Sequence, residues 1–152
     1  MVTNRWFLGV DDISDAMMIR DTVFIAEQGC PVNIEHDKYD KTAMHLVLYA
    51  DGAPVGCARM VPQETGFKLG RIAVLKEERG KHYGDLIMRL LLFKAFQMGA
   101  KEAHLGAQLH AADFYARFGF VRDGENYMEA GIEHVPMKVT ADTVDYPSEC
   151  HH

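Results

Sequence analysis

The segment that most constrains the fold is residues 71–84, which read RIAVLKEERGKHYG. An apolar stretch typical of a β-strand leads into a short charged loop with glycines at positions 80 and 84. A long apolar stretch follows and ends at Gly99. A helix that begins directly after such a loop presents unpaired backbone N–H groups and the positive end of its dipole at its first turn. The sequence therefore predicts a strand–loop–helix unit that can hold a phosphate group.

The patterns on either side of this unit predict one mixed α/β domain with the order β-α-βββ-α-β-α-ββ. We expect a central, mostly antiparallel, twisted sheet of about seven strands flanked by helices. We also expect the domain to cover residues 1–140 and a C-terminal tail to cover residues 141–152. The predicted strands are 6–10, 44–50, 55–61, 67–74, 103–107, 126–130 and 134–139, and the predicted helices begin near Asp12, Tyr83 and Ala111.

Two segments carry separate local expectations. Gly70 lies inside an otherwise apolar strand, which indicates a β-bulge or a close backbone approach. Residues 32–42 are polar and acidic, and we expect a loop or one helical turn on the surface there.

Net charge and cysteine content limit the kinds of partner. The formal net charge is -6 with histidine neutral, which disfavours binding to nucleic acid or anionic membranes. The three cysteines form no CxxC pair, so we expect no disulfide framework, no metal and a cytoplasmic location. No apolar run approaches the ~18 residues of a membrane span, and no signal peptide is apparent.

The loop resembles a known phosphate-binding motif once a second segment is considered with it. Residues 108–120 read QLHAADFYARFGF. Together the two segments resemble the GNAT superfamily of acyl-CoA-dependent N-acetyltransferases. That family's pyrophosphate motif is Gln/Arg-x-x-Gly-x-Gly/Ala. Arg79 and Gly84 match its ends, and His82 replaces the middle glycine.

The family's later motif has Asn, Ala three residues on, and then Tyr-x-x-x-Gly-Phe. Ala111, Tyr115, Gly119 and Phe120 match it, and Gln108 stands in place of Asn. Residues 24–29 and 131–134 further resemble the ElaA/YjcF-like branch.

The resemblance implies transfer of an acetyl group from acetyl-CoA to a primary amine by direct attack. The amine could belong to a small molecule or a peptide, and related proteins often form homodimers. An alternative is a catalytically degenerate module that binds acyl-CoA as a sensor or scaffold. His82 and the absence of Asp and Glu from residues 68–74 favour that alternative, whereas Tyr115 favours the enzyme.

The resemblance also implies a cofactor site. The backbone at residues 72–74 would pair with the pantetheine arm, and the loop amides would bind the pyrophosphate. The cofactor-binding residues are then Ile72, Ala73, Val74, Arg79, Gly80, Lys81, His82, Tyr83, Gly84, Gln108, Ala111, Phe114 and Tyr115.

Tyr115 is the candidate general acid, because a phenol with a pKa of ~10 can protonate a departing thiolate of similar basicity. The alternative is that it packs in the core with its neighbouring phenylalanines. The candidate bases are Glu27, Glu35, His110 and Asp113. We favour Glu27, which lies at a helix end, although a solvated helix terminus explains it equally well.

The expected substrate-binding residues lie near the same helix end and in two strands. Arg59 and Arg71 would suit an acceptor with a carboxylate or phosphate if they face the acceptor pocket; otherwise they face solvent. His45, His104 and His134 lack the spacing of metal ligands. The substrate-binding set is Glu27, Gln28, Arg59, Arg71 and His110.

Overall fold

The computed structural model describes residues 1–148 and is built around one eight-stranded sheet. The strands are β1 (Val2–Leu8), β2 (Met44–Ala50), β3 (Ala53–Pro62), β4 (Gly66–Val74), β5 (Glu102–Gln108), β6 (Val121–Arg122), β7 (Tyr127–Glu129) and β8 (Ile132–Thr140). The helices are α1 (Ser14–Arg20), which continues as a π-helix (Asp21–Glu27), and α2 (Val32–Glu35), α3 (Tyr83–Gln97) and α4 (Ala112–Ala116). Short 3₁₀ turns cover Lys38–Lys41, Lys76–Glu78 and Leu109–Ala111.

The strand order in the sheet is β1-β2-β3-β4-β5-β8-β6, and β7 pairs with β8. Every pair is antiparallel except β4 with β5. Asp51 and Gly52 connect β2 to β3 with φ values of 50° and 85°, as the favoured two-residue hairpin turn requires. Ala130 and Gly131 do the same between β7 and β8, with φ values of 52° and 77°. The expected mostly antiparallel α/β sheet is confirmed, with the two-residue β6 added.

Two cores lie on opposite faces of the sheet. Helix α3 covers one face through Ile87, Met88, Leu91 and Leu92, all fully buried against β2–β5 and β8. Helix α1 and the π-helix cover β2–β4 on the other face. Each such buried aliphatic side chain stabilises the fold by roughly 1.5–3 kcal/mol. On the α1 side of the sheet, no helix within residues 1–148 covers β5 and β8 in the way that α3 covers them on the opposite side.

Strands β4 and β5 pair only at their N-terminal ends. The pairs are Gly66–Glu102, Phe67–Ala103 and Lys68–His104. Beyond them the strands part, so the C-terminal half of β4 and that of β5 leave a gap between them. This gap is the cleft described below.

A β-bulge lies in the middle of β4. Cys57 pairs with Ala73, whereas Arg59 pairs with Gly70, so two residues of β4 stand opposite one residue of β3. The inserted residue is Arg71, whose φ of 51° is in the left-handed region. The bulge predicted at Gly70 is therefore present one residue later.

The bulge changes the alternation of β4 side chains between the two faces of the sheet. Odd-numbered residues face α3 before it, and even-numbered residues face α3 after it. Before it, Phe67 and Leu69 belong to the α3 core. After it, Ile72 and Val74 pack on that core and Ala73 joins the α1 core. One inserted residue thus shifts the period-2 alternation by one step.

Two segments differ from expectation. The first strand is Val2–Leu8 rather than 6–10, because an edge strand with exposed polar side chains pairs with β2 along its whole length. Gly9 then turns the chain against the backbone of Asp40, where no side chain fits. Residues 32–42 contain the expected helical turn as α2, but its last residue, Glu35, is 1% exposed and does not lie on the surface.

The end of β8 at Thr140 agrees with a domain end at residue 140, which stays a prediction. Of the expected tail, Asp145 donates its backbone N–H to the carbonyl of Phe118, and Val144 packs on the α3 core. Residues 149–152, with Cys150, lie outside the described residues. No helix within residues 1–148 is long and apolar enough to cross a membrane.

Candidate active site

A cleft of about 880 Å³ fills the gap between the parted halves of β4 and β5. The π-helix, α2 and the β7–β8 hairpin form its other walls. It brings together most of the residues singled out from the sequence: Glu27, Gln28, Arg59, Arg71, Ile72, Ala73, Val74, Arg79, Gln108, His110, Ala111 and Tyr115. The predicted Gly80, Lys81, His82, Tyr83, Gly84 and Phe114 lie outside this lining, at the start of α3 and in α4.

The loop before α3 has the backbone of an anion-binding turn. Gly80 has a φ of 83°, and His82, the residue before α3, is left-handed with a φ of 65°. Histidine therefore tolerates the backbone of the position where the family motif has glycine. A Cβ on Gly84 would lie 3.8 Å from the Phe114 ring, so the first turn of α3 meets α4 there.

The side chain of Arg79 holds this loop against two neighbouring elements. Its Nη1 and Nη2 donate to the Glu27 carboxylate at 2.7 and 2.8 Å, and its Nε donates to the Val74 carbonyl at 3.0 Å. The hydrogen bond from Arg79 lowers the pKa of Glu27. This geometry argues against Glu27 as a base, because the ion pair favours its charged, weakly basic form.

The basic side chains of the loop form ion pairs with carboxylates of the protein. Lys81 Nζ lies 3.1 Å from Glu78 Oε1, as Arg79 lies beside Glu27. A pyrophosphate at this loop would therefore be attracted mainly by the backbone N–H groups and the dipole of α3.

Tyr115 lies between the α3 core and the cleft. Its ring makes edge contacts with Phe114 and Phe120, with centroids 5.2 and 6.2 Å apart. Burial raises the pKa of Tyr115 to about 12. The phenol therefore stays protonated at any physiological pH, as a proton donor must.

A network of three arginines and three carboxylates forms the wall below the π-helix. Arg20 Nε donates to both carboxylate oxygens of Glu35, at 3.1 and 3.0 Å, and Arg20 Nη1 donates to Asp40 at 2.7 Å. Arg20 and Glu35 are each 1% exposed. The members are Arg20, Arg59, Arg71, Glu35, Asp37 and Asp40.

Arg59 and Arg71 bind carboxylates of this network. Arg59 donates to Asp37 at 2.7 and 2.8 Å and to Asp40 at 2.8 Å. Arg71 Nε lies 2.8 Å from a Glu35 oxygen, and its Nη2 donates to Asp37 at 3.1 Å. Both arginines line the cleft, but their charges are offset by carboxylates. This removes the main support for an acceptor with a carboxylate or phosphate.

His45, at 0% exposure, lies beneath this network, and we expect it to make the fold sensitive to acid. Burial lowers the pKa of His45, and the charges of Arg20 and Arg59 add to the effect, although a hydrogen bond to the Asp40 carbonyl opposes it. The unfolded chain therefore takes up a proton near pH 6.5 while the folded chain does not, and stability falls as the pH falls below that value.

Urea unfolding of the wild type and His45→Gln at pH 8 and pH 5.5 measures this effect. The amide of Gln can still donate to the Asp40 carbonyl, so the variant should lose less stability between the two pH values. Equal losses would contradict the assignment to His45.

Two further predicted residues lie on the rim of the cleft. Gln108 Nε2 donates to Gln28 Oε1 at 3.2 Å, which joins the end of β5 to the end of the π-helix. His110 is exposed on the 3₁₀ turn after β5. Asp113, a candidate base, is exposed on α4 and is not among the lining residues.

Several residues of the cleft did not emerge from the sequence as parts of a site, among them Tyr39, Tyr127, Glu129 and His134. The sequence offers His134 as a candidate for metal binding alone, and its spacing from other histidines does not fit that role. The segment Gly131–His134 did carry part of the family resemblance, which was the available signal. The hairpin that brings these side chains to the cleft depends on pairing with β5, which sequence spacing does not reveal.

The parallel strands β4 and β5 part beside the glycine-bearing loop that begins α3, and the protonated phenol of Tyr115 lies at the gap. This arrangement is typical of an acyl-CoA-dependent transferase. Residues 15–141 match the family described as Acetyltransferase (GNAT) domain. The chain belongs to the GNAT acetyltransferase family. It is an N-acetyltransferase that uses acyl-CoA and an amine acceptor, and the sensor alternative is not favoured.

Individual relatives agree with the family assignment. The N-acetyltransferase YjcF of Bacillus subtilis is 35% identical over 128 residues, which cover 84% of this chain and 91% of YjcF. An acyl-CoA N-acyltransferase of Pseudomonas aeruginosa superposes with a TM-score of 0.83 at 27% identity, covering 91% of this chain and 99% of that one. Escherichia coli ElaA gives 0.81 at 28% identity, with the same coverage. The expected ElaA/YjcF-like branch is confirmed.

Proposed function

We propose that the protein transfers the acetyl group of acetyl-CoA to a primary amine by direct attack, with no covalent enzyme intermediate. The observation that supports this most is the gap between β4 and β5, which opens beside the N-terminus of α3. An extended pantetheine arm fits such a gap because it can pair with free strand edges. The pyrophosphate then lies at the helix start.

The β4 bulge supports a role in polarising the thioester. The inserted residue of a bulge leaves the regular ladder, so backbone N–H groups near Arg71 and Ile72 are not all paired with β3. A donor of this kind stabilises the negative charge that develops on the thioester oxygen when the amine attacks. We propose that residues 72–74 bind the pantetheine arm of acetyl-CoA and that the loop from Arg79 to Gly84 binds its pyrophosphate. Gln108, Ala111 and Phe114 complete the cofactor site.

Tyr115 is the proposed general acid. The amine nitrogen bonds to the carbonyl carbon, the carbon–sulfur bond breaks, and the departing thiolate takes the phenolic proton. The nitrogen is positively charged after the attack and releases one proton, and the phenolate takes up a proton, so that the amide is neutral and the phenol is restored. The raised pKa of Tyr115 supports this role because it keeps the proton in place until the thiolate forms. The acceptor is an amine of a small molecule or a peptide, and Gln28 and His110 on the rim are proposed to contact it.

The location and assembly of the protein are further proposals. Cys30 and Cys57 are free thiols, which supports a reducing, cytoplasmic setting. A homodimer is proposed on the family resemblance, and sedimentation velocity measures it directly.

Calorimetric titration with acetyl-CoA, run beside a thiol-release assay, tests the function. The amine panel contains a diamine, an amino sugar, an amino-acid amide and a short peptide. Saturable binding with amine-dependent thiol release is the expected result. Absence of acetyl-CoA binding would overturn the proposal, and binding without release for every amine class would favour a binding module.

Gly84→Leu is expected to weaken acetyl-CoA binding by roughly 10- to 100-fold, equivalent to losing one or two hydrogen bonds to a charged group. A large side chain meets Phe114 and the pyrophosphate position. Gly84→Ala is the matched control, because a Cβ there has an ordinary contact distance of 3.8 Å. Calorimetry of both variants measures the effect, and equal affinities would show that the first turn of α3 does not contact the cofactor.

A further inference from the structure

Three side chains of the β7–β8 hairpin form a cluster on the acceptor side of the cleft: Tyr127, Glu129 and His134. Tyr127 and His134 are directly opposite each other in the two strands, and their rings stack with centroids 5.5 Å apart and an interplanar angle of 20°. His134 is 8% exposed, so the stack fixes the orientation of the imidazole. The ring is held as firmly as a core residue although it lines the cleft.

The hydrogen bonds of His134 define which ring nitrogen can accept a proton. Nδ1 lies 2.7 Å from the backbone carbonyl oxygen of Ile132. A carbonyl only accepts, so Nδ1 must carry the hydrogen, and in the neutral ring Nε2 then has the free lone pair. Nε2 lies 3.9 Å from Glu129 Oε2, which would stabilise the imidazolium once a proton is gained.

Gly106 allows this cluster to reach the point where β5 has parted from β4. A Cβ at Gly106 would overlap the Tyr127 hydroxyl and would lie 3.8 Å from His134 Cδ2. His134 also pairs with Gln108, one of the cofactor-binding residues that the family resemblance implies. The imidazole is therefore next to the gap through which the thioester would run. On β7 the titratable groups beside His134 are Tyr127 and Glu129, and its pairing partner on β5 is the uncharged Gln108.

Of the four carboxylates within residues 1–148 that line the cleft, all but Glu129 are bound by arginines. Glu27 is bound by Arg79 and Glu35 by Arg20, each through two hydrogen bonds. Asp37 is bound by Arg59. A carboxylate held in this way is a poor proton acceptor, because protonation would cost the ion pair.

We propose that His134 is the general base of the reaction, an assignment that rests on the function proposed above. Nε2 takes a proton from the acceptor ammonium, directly or through one water, and the freed amine then attacks the thioester carbonyl. The imidazolium later returns that proton to solvent. Glu129 is a positioning residue that stabilises the imidazolium, and Tyr115 supplies the separate proton that the thiolate receives.

The test is the ratio of kcat/KM between the wild type and His134→Asn, measured from pH 5.5 to 9 with the most active amine of the panel. The Asn Nδ2 group can replace Nδ1 as donor to the Ile132 carbonyl, so the variant keeps the structural hydrogen bond but loses Nε2 and the ring that stacks on Tyr127. His134→Gln, melting temperatures and acetyl-CoA affinities are measured in parallel as checks on folding and cofactor binding.

The expected ratio is roughly 10²- to 10⁴-fold at pH 8, and it rises as the pH is lowered below the pKa of the amine, because the variant must bind an amine that is already neutral. The wild type removes the ammonium proton within the cleft, so its kcat/KM depends less on the ionisation of the amine than that of the variant. A ratio that does not change with pH, or that stays near one, would overturn the base assignment and leave the acetyltransferase proposal standing. If the wild type binds no acetyl-CoA or releases no thiol, the proposed function fails and the base assignment fails with it.

Discussion

Tyr115→Phe is expected to lower kcat by roughly 10²- to 10⁴-fold, the usual contribution of a general acid, and to leave the affinity for acetyl-CoA unchanged. The phenylalanine ring keeps the edge contacts with Phe114 and Phe120, so only the hydroxyl is lost. Because the pKa of Tyr115 is about 12, the wild-type rate should show no decline caused by this residue up to about pH 10. Thiol release between pH 6 and 10 and calorimetry measure both quantities.

Tyr146→Phe is the matched control, since that tyrosine is 41% exposed and lies outside the cleft lining. It should keep the wild-type rate. If Tyr115→Phe also keeps the wild-type kcat over this range, Tyr115 has a packing role only. A fall in acetyl-CoA affinity with kcat unchanged would instead make it a binding residue.

Arg20→Met is expected to lower the free energy of unfolding by about 3–5 kcal/mol. Met has a similar length and fills the site, but it leaves Glu35 and Asp40 without their main cationic partner. Glu35 is 1% exposed and cannot regain hydration unless the structure opens. At about 2–4 °C per kcal/mol for a chain of this size, the melting temperature should fall by roughly 10 °C. Urea unfolding at pH 7 measures the free energy.

Asp51→Asn provides the comparison. Asp51 pairs with the N-terminal ammonium at 2.6 Å, but both groups are 86% exposed. Exposed pairs contribute about 0–1 kcal/mol, so this variant should unfold almost like the wild type. A loss in Arg20→Met no larger than in Asp51→Asn would mean that the buried network is compensated by rearrangement or water.

The order of secondary structure could be predicted because it depends on local signals. The Asp51-Gly52 turn fixed the β2–β3 hairpin, and the predicted β2, residues 44–50, agrees with Met44–Ala50. Helix α3 begins at Tyr83 as expected, because the glycine-bearing loop precedes it. The edge strand β1 was misplaced because an exposed strand has little apolar periodicity.

The candidate site was predictable only where a motif was continuous in sequence. The Arg79–Gly84 loop and Tyr115 were identified in this way. The partners of Arg59 and Arg71 were not, because Glu35 and Asp37 are far away in sequence and lie in a segment whose polarity indicated a surface loop. Charge pairing across a sheet depends on packing. The same limit applies to His134, whose place in the cleft follows from the β5–β8 register.

The bulge at Arg71 has a consequence for how this chain can change in evolution. Loss of Arg71 would restore a regular ladder with β3 and would leave Leu69, Ile72 and Val74 on the α3 side of the sheet. The packing of the strand therefore does not require the extra residue. The deletion would instead remove the guanidinium that pairs with Glu35 and Asp37 in the wall of the cleft. It would also pair backbone groups with β3 that the bulge leaves out of the ladder. Selection should therefore keep this residue for what it contributes to the cleft.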